Sequence, residues 1–150
     1  MTKQQYLDTL LMMYRIRKFE MTAVDFFEKN ILRGSVHLCV GEEAAPATMA
    51  NFITDEDYIT STHRGHGHCI AKGARLDYAM CELMGKRDGY CKGRSGSMHI
   101  ADFTKGNLGA NAIVGGGYIG LEMAENMVNA GHRVHIIEAA SHVITTLDAD

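Results

Sequence analysis

Apolar side chains open the chain at helical spacing. Tyr6, Leu7, Leu10, Leu11, Met13 and Tyr14 recur every three to four positions, and Thr2 with Gln5 has the form of a capping box just ahead of them. The pattern predicts one long helix from Thr2 to about Lys29. The charges Arg15, Arg17, Lys18 and Glu20 fall together and are expected on a solvated or subunit-facing surface. Gly34 to Gly41 reads as a loop or short strand. Glu42 and Glu43 then suit the first turn of a helix through about Phe52, where the dipole favours carboxylates. A turn at residues 54–57 leads into Tyr58-Ile59-Thr60-Ser61-Thr62, whose β-branched content predicts a strand. Leu76 to Met84 predicts a helix stopped by Gly85. Near the C-terminus, Ala112-Ile113-Val114 reads as a strand that runs into Gly115, Gly117 and Gly120 and opens a helix to about Ala130. Gly131 stops that helix, and Val134 to Ile137 forms a second strand ending at Glu138. The expected class is α/β, with a single Rossmann-like βαβ unit, incomplete by itself, at the C-terminal end.

Composition narrows the partners. The 150 residues suffice for one domain with a sizeable core, and 46% hydrophobic with 22% charged content is ordinary for a globular chain. A net charge of −3 argues against nucleic acid or an anionic membrane as the main partner. No apolar run approaches the roughly 20 residues of a membrane span, and the N-terminus lacks a signal-peptide core, so a cytoplasmic location is expected. Cys39, Cys69, Cys81 and Cys91 form no C-x-x-C pair and are expected as reduced thiols. Glycine is abundant, 16 residues against one proline, and concentrates between Gly85 and Gly120, as either a ligand-approaching or a mobile loop.

Candidate chemistry concentrates in His63-Arg64-Gly65-His66-Gly67-His68. The H-x-x-H-x-H spacing can in principle take zinc, but no flanking carboxylate completes a ligand set, and no metal site is assigned. An arginine between histidines at a strand end suits phosphate oxygens better, because its fork donates two parallel hydrogen bonds. His37, alone before a helix, is by default structural unless its neighbours give it work. Lys92 and Arg94 in a glycine-serine loop could cradle an anion or fix a subunit contact.

Taken together, four motifs occur in order: His37-Leu38-Cys39-Val40-Gly41-Glu42-Glu43-Ala44, His63-Arg64-Gly65-His66-Gly67, Lys92-Gly93-Arg94-Ser95-Gly96-Ser97-Met98-His99, and Gly109-Ala110-Asn111-Ala112-Ile113-Val114-Gly115. Residues 1–117 resemble the alpha subunit of the thiamine-diphosphate-dependent decarboxylating component of acetoin, pyruvate and other 2-oxo acid dehydrogenase complexes. The resemblance implies an oxidoreductase in which His37 lies near the thiazolium and the substrate carbonyl. It implies that His63 and Arg64 touch the cofactor diphosphate; pyruvate-type relatives carry tyrosine at the first position, and histidine there looks like the acetoin-type subgroup. The backbone of Ala112 and Val114 would meet the aminopyrimidine, and a beta subunit would complete a heterotetramer within a dehydrogenase complex. The Gly-Asp-Gly motif and following asparagine that hold magnesium in relatives do not occur in these 150 residues. The expectation is therefore an alpha-subunit-like segment, truncated at about Gly117 and inactive alone, which does not hold thiamine diphosphate tightly.

Residues 112–150 carry a second resemblance, to the NAD-binding segment of flavin-dependent pyridine nucleotide-disulfide oxidoreductases and NADH oxidases. Gly115 permits the turn, Gly117 the approach to a pyrophosphate, and Gly120 close helix–strand packing; Glu138, 18 residues beyond Gly120, is placed to bind an adenosine ribose. The expected division is 1–111 and 112–150, and three functional expectations follow: the thiamine-diphosphate subunit, an NAD-binding module, or a non-catalytic hybrid, or chimera, of two coding segments.

Overall fold

The structure, a computed structural model, describes residues 1–32 and 34–110. The strands, helix and fingerprint expected after residue 110, with Ala112, Val114, Gly115, Gly117, Gly120 and Glu138, lie outside the described residues.

Within them the chain forms α1 (Lys3–Glu28), α2 (Ala44–Met49), α3 (His66–Ala71) and α4 (Leu76–Leu83), followed by a short 3-10 turn at Phe103–Lys105. The capping box that begins α1 is formed as the sequence predicts. Gln5 N–H donates to Thr2 Oγ1 at 3.2 Å, and Thr2 N–H donates back to Gln5 Oε1 at 2.7 Å. No glycine or proline interrupts the 26 residues that follow. The helix ends where Asn30 turns left-handed at φ 57°; Asn30 N–H then reaches the Phe27 carbonyl and Ile31 N–H the Phe26 carbonyl, which satisfies two otherwise orphaned acceptors. Gly85, at φ 67°, closes α4 by the same arrangement, with Gly85 N–H on Glu82 O and Lys86 N–H on Cys81 O.

The core is built on the second half of α1. Ile16, Phe19 and Ala23 pack with Cys39, Ala47, Cys69, Ile70, Ala79, Leu83 and Ile100, and α1 touches each of the other three helices. Gly67 is where α3 closes on this core: an added Cβ would lie 3.0 Å from both Cys39 Sγ and Pro46 Cγ.

The stripe Tyr6, Leu7, Leu10, Leu11 and Tyr14 is exposed, so the strongest apolar periodicity of α1 does not face the core. Three sequence expectations are corrected. Glu20, expected on a solvated surface, is completely buried because it sits at the i+4 position of the Ile16, Phe19, Ala23 stripe. The helix after Glu42 is short, Ala44–Met49, with Glu43 as its buried N-cap. The strand at Tyr58–Thr62 is reduced to one parallel bridge, Ile59 with Asn107. Ile59 N–H donates to Gly106 O and Leu108 N–H to Ile59 O, at 2.9 Å each, and Ser61 N–H reaches Gly109 O at 3.2 Å, but Gly106 and Gly109 both turn to positive φ and interrupt a regular ladder. The described part of the chain is thus mostly helical, with no strand longer than a bridge. No helix there is long and apolar enough to cross a membrane.

Candidate active site

Three segments bring the predicted residues of the first half together. The 34–41 loop carries His37, the 60–65 segment carries His63 and Arg64, and the loop after α4 carries Ser97. His37 N–H donates to Ser97 Oγ at 2.8 Å, and its ring meets His63 edge to face, with centroids 5.4 Å apart and planes at 89°. Arg64 Nη1 donates to the Leu38 carbonyl, the next residue after His37, while its Nε lies 4.0 Å from Glu42 Oε1. His37, His63 and Arg64 therefore form one constellation although 26 residues separate the first two. His37 is half-buried and its Nδ1, out of solvent, has no partner among the described residues, whereas His63 and Arg64 are exposed. A buried histidine nitrogen without a partner among the described residues and an exposed guanidinium thus belong to one cluster of side chains.

The His63–His68 hexapeptide divides between a loop and the core. His63 and Arg64 remain in the loop; Gly65 caps α3, and His66 turns into the core with no exposed surface. His66 Nδ1 lies 2.9 Å from Glu20 Oε1, and its Nε2 lies 2.9 Å from Ser97 Oγ. With both its nitrogens engaged inside the protein, His66 does not join its neighbours around a metal; among the described residues no group of three or more His, Cys, Asp or Glu side chains could hold one. His68, half-buried, is held below the ordinary histidine pKa by burial, which outweighs the opposing pull of Glu42.

The His37 loop is pinned at several points. Cys39 donates its thiol proton to Glu20 Oε1 at 3.0 Å; burial and the adjacent carboxylate push that thiol far up, so it is a protonated donor and not a nucleophile. All four cysteines are free, as expected. Gly41 N–H donates to Glu43 Oε2 at 3.0 Å, and Arg17 donates to Glu43 Oε1 at 2.5 Å. The Arg17 hydrogen bond is the main reason that the Glu43 carboxyl falls to a pKa of about 2, against the opposing effect of burial.

The glycine-serine loop wraps an anion through backbone N–H groups and Ser95, not through the side chains of Lys92 and Arg94, and the anion is Glu82 of the same chain. Its Oε2 accepts from Cys91 N–H at 2.8 Å and Gly93 N–H at 2.9 Å, and its Oε1 accepts from Ser95 N–H and Ser95 Oγ at 2.8 Å each and from Gly96 N–H at 3.3 Å. Burial raises its pKa, but these donors together outweigh burial and the carboxyl is held below its ordinary value. Gly93 must be glycine here: it stands at φ 73°, and a Cβ would fall 2.3 Å from the Gly85 carbonyl carbon. Glu82, Glu20 and Ser97 are residues that the motifs alone do not single out. A signal existed for the two acids. Glu82 lies in the last turn of α4, where the helix dipole disfavours a carboxylate, and Glu20 lies on the apolar stripe of α1.

Comparison with known proteins bears on the chain's family. The chain matches the family described as Dehydrogenase E1 component over residues 11–143, a span that runs through the segment with the glycine fingerprint. It is 52% identical over 118 residues to the alpha subunit of acetoin:2,6-dichlorophenolindophenol oxidoreductase of Bacillus subtilis (strain 168), covering 79% of this chain and 35% of that protein. The corresponding subunit of Cupriavidus necator is 50% identical over 114 residues, covering 73% and 34%. The testis-specific mitochondrial pyruvate dehydrogenase E1 component subunit alpha of Homo sapiens is 35% identical over 115 residues, covering 77% and 29%. The chain spans about a third of the length of these relatives. On the length of the family match and the identity to its alpha subunits, the chain belongs to the dehydrogenase E1 component family.

Proposed function

We propose that the chain carries the N-terminal part of a thiamine-diphosphate-dependent dehydrogenase alpha subunit that acts on acetoin or a 2-oxo acid such as pyruvate. The observation that carries the reading is the convergence of His37, His63 and Arg64 from separate segments in a chain similar to acetoin oxidoreductase alpha subunits. The residues fit the cofactor in kind. Arg64 offers a guanidinium whose remaining N–H groups can take diphosphate oxygens, and the orphaned Nδ1 of His37 calls for a partner that the described residues do not supply. When bound, thiamine diphosphate supplies a carbanion nucleophile and electron sink. The chain's own share is placement: Arg64 and His63 hold the anionic end, while His37 orients a substrate oxygen or moves a proton at its ring nitrogen. Ala112 and Val114 are assigned to the aminopyrimidine by resemblance alone. A beta subunit is the partner that the reading calls for, and the exposed apolar stripe of α1 is a suitable surface for a protein partner. For the 150 residues alone we expect little turnover and weak cofactor binding, because no magnesium-holding Gly-Asp-Gly motif occurs in them.

Calorimetric titration of the chain with thiamine diphosphate plus magnesium, and with thiamine alone, tests the reading. Weak binding of the diphosphate form that disappears in Arg64→Ala supports it. Equal behaviour of thiamine and its diphosphate would sink it, and micromolar binding would show that the magnesium motif is dispensable.

A second reading rests on Gly115, Gly117, Gly120 and Glu138, which have the order and spacing of an NAD site. It predicts that NADH binds, that NADPH does not, and that Glu138→Ala erases the preference. A chain that binds neither cofactor would favour the hybrid of two coding segments, which continuous sequencing across the codons for Asn111 to Tyr118 would then test.

A further inference from the structure

His37 is held through a chain of buried polar groups that reaches α1. Its N–H meets Ser97 Oγ at 2.8 Å; Ser97 Oγ meets His66 Nε2 at 2.9 Å; His66 Nδ1 meets Glu20 Oε1 at 2.9 Å. Glu20 and His66 are fully buried and Ser97 is 7% exposed. We propose that Ser97, His66 and Glu20 are positioning residues for His37, joined in a one-directional hydrogen-bond relay that holds His66 as its Nδ1–H tautomer.

Proton accounting sets the direction. A backbone N–H can only donate, so Ser97 Oγ accepts from His37. The serine then has one proton to place, and His66 Nε2 is the buried acceptor within reach. That assignment leaves the ring proton on Nδ1, pointing at Glu20 Oε1, which also takes the Cys39 thiol proton. The reverse tautomer would make Ser97 a double acceptor and strand its hydroxyl proton in the interior. Phe19 holds the ring from the side, edge to face at 5.8 Å and 76°.

The relay grips the backbone of His37 and leaves its ring free. The ring contacts His63 and keeps an unpartnered Nδ1. The positioning role rests on the reading that this ring serves the substrate, but the relay itself can be tested without cofactor.

Two-bond 15N–1H imidazole spectra of the wild-type chain give the His66 tautomer, and amide hydrogen exchange gives the protection of His37. The expected results are Nδ1–H at His66 and a protected His37 amide. In Ser97→Ala, His37 exchange should accelerate by about two- to twelvefold, as loss of one net hydrogen bond implies, and Ser97→Thr, which keeps the hydroxyl, should restore protection. An Nε2–H tautomer in the wild-type chain, or an unprotected His37 amide there, overturns the relay, and neither result depends on a variant folding. Unchanged exchange in Ser97→Ala overturns it as well. A confirmed relay in a chain that ignores thiamine diphosphate would leave the relay standing and remove the assigned role of the His37 ring.

Discussion

Glu82 accepts five hydrogen bonds from the loop that follows its own helix, a density usual for a bound anion and rare for a side chain. Replacing it by glutamine keeps the shape but turns an amide toward donors, so E82Q should lower stability by roughly 3 kcal/mol in urea unfolding. Gly93→Ala should damage the same loop, because the added methyl meets backbone and not a movable side chain. Glu43 makes the pH dependence explicit. Its folded pKa of about 2 lies below its ordinary 4.5, so its stabilisation is complete above about 4.5 and is lost as pH falls toward 2. Urea midpoints should therefore drop between pH 5 and pH 3, and by less in Glu43→Gln. At this scale the motifs expose His37, His63 and Arg64, because each stands in a recognisable local pattern. They do not expose the acids that hold those loops. Burial and partners 13 to 60 residues away decide what Glu20, Glu43, Glu82 and Ser97 do, and local spacing does not name those partners.

Among the elements, α1 shows how far periodicity can be read. Its start, length and end are written locally, in Thr2 with Gln5 and in the absence of breakers, and they form as expected. Its face is not, because two stripes compete on a 26-residue helix and tertiary packing chooses the one through Ile16, Phe19, Glu20 and Ala23. Ile16→Ala should cost about 2–5 kcal/mol, whereas Leu10→Ser on the exposed stripe should change the stability of the isolated chain by no more than about 0.5 kcal/mol. Chemical denaturation of both variants separates the faces. The strand expected at Tyr58–Thr62 fails for a related reason: β-branched content describes a segment that fits a sheet, but a regular ladder needs a regular partner, and Gly106 and Gly109 turn to positive φ on either side of Asn107 and Leu108.

For the molecule as a whole, the loops that carry His37 and Ser97 are held by the buried carboxylates of Glu20, Glu43 and Glu82, while His63 and Arg64 stand exposed beside them. Arg64 is the point of competition, since Glu42 stands 4.0 Å from its Nε. An exposed pair of this kind is worth at most about 1 kcal/mol, so Glu42→Gln should strengthen binding of a diphosphate by no more than about fivefold. Calorimetry measures that change. The most direct measurement of the central claim follows the imidazole resonances of His37 and His63 during titration with thiamine diphosphate and magnesium. Both rings should shift together, thiamine without its diphosphate should move them much less, and Arg64→Ala should abolish the response. Resonances that stay fixed at saturating cofactor, or that move identically with Arg64 removed, would contradict the claim that these three residues form the cofactor end of the site.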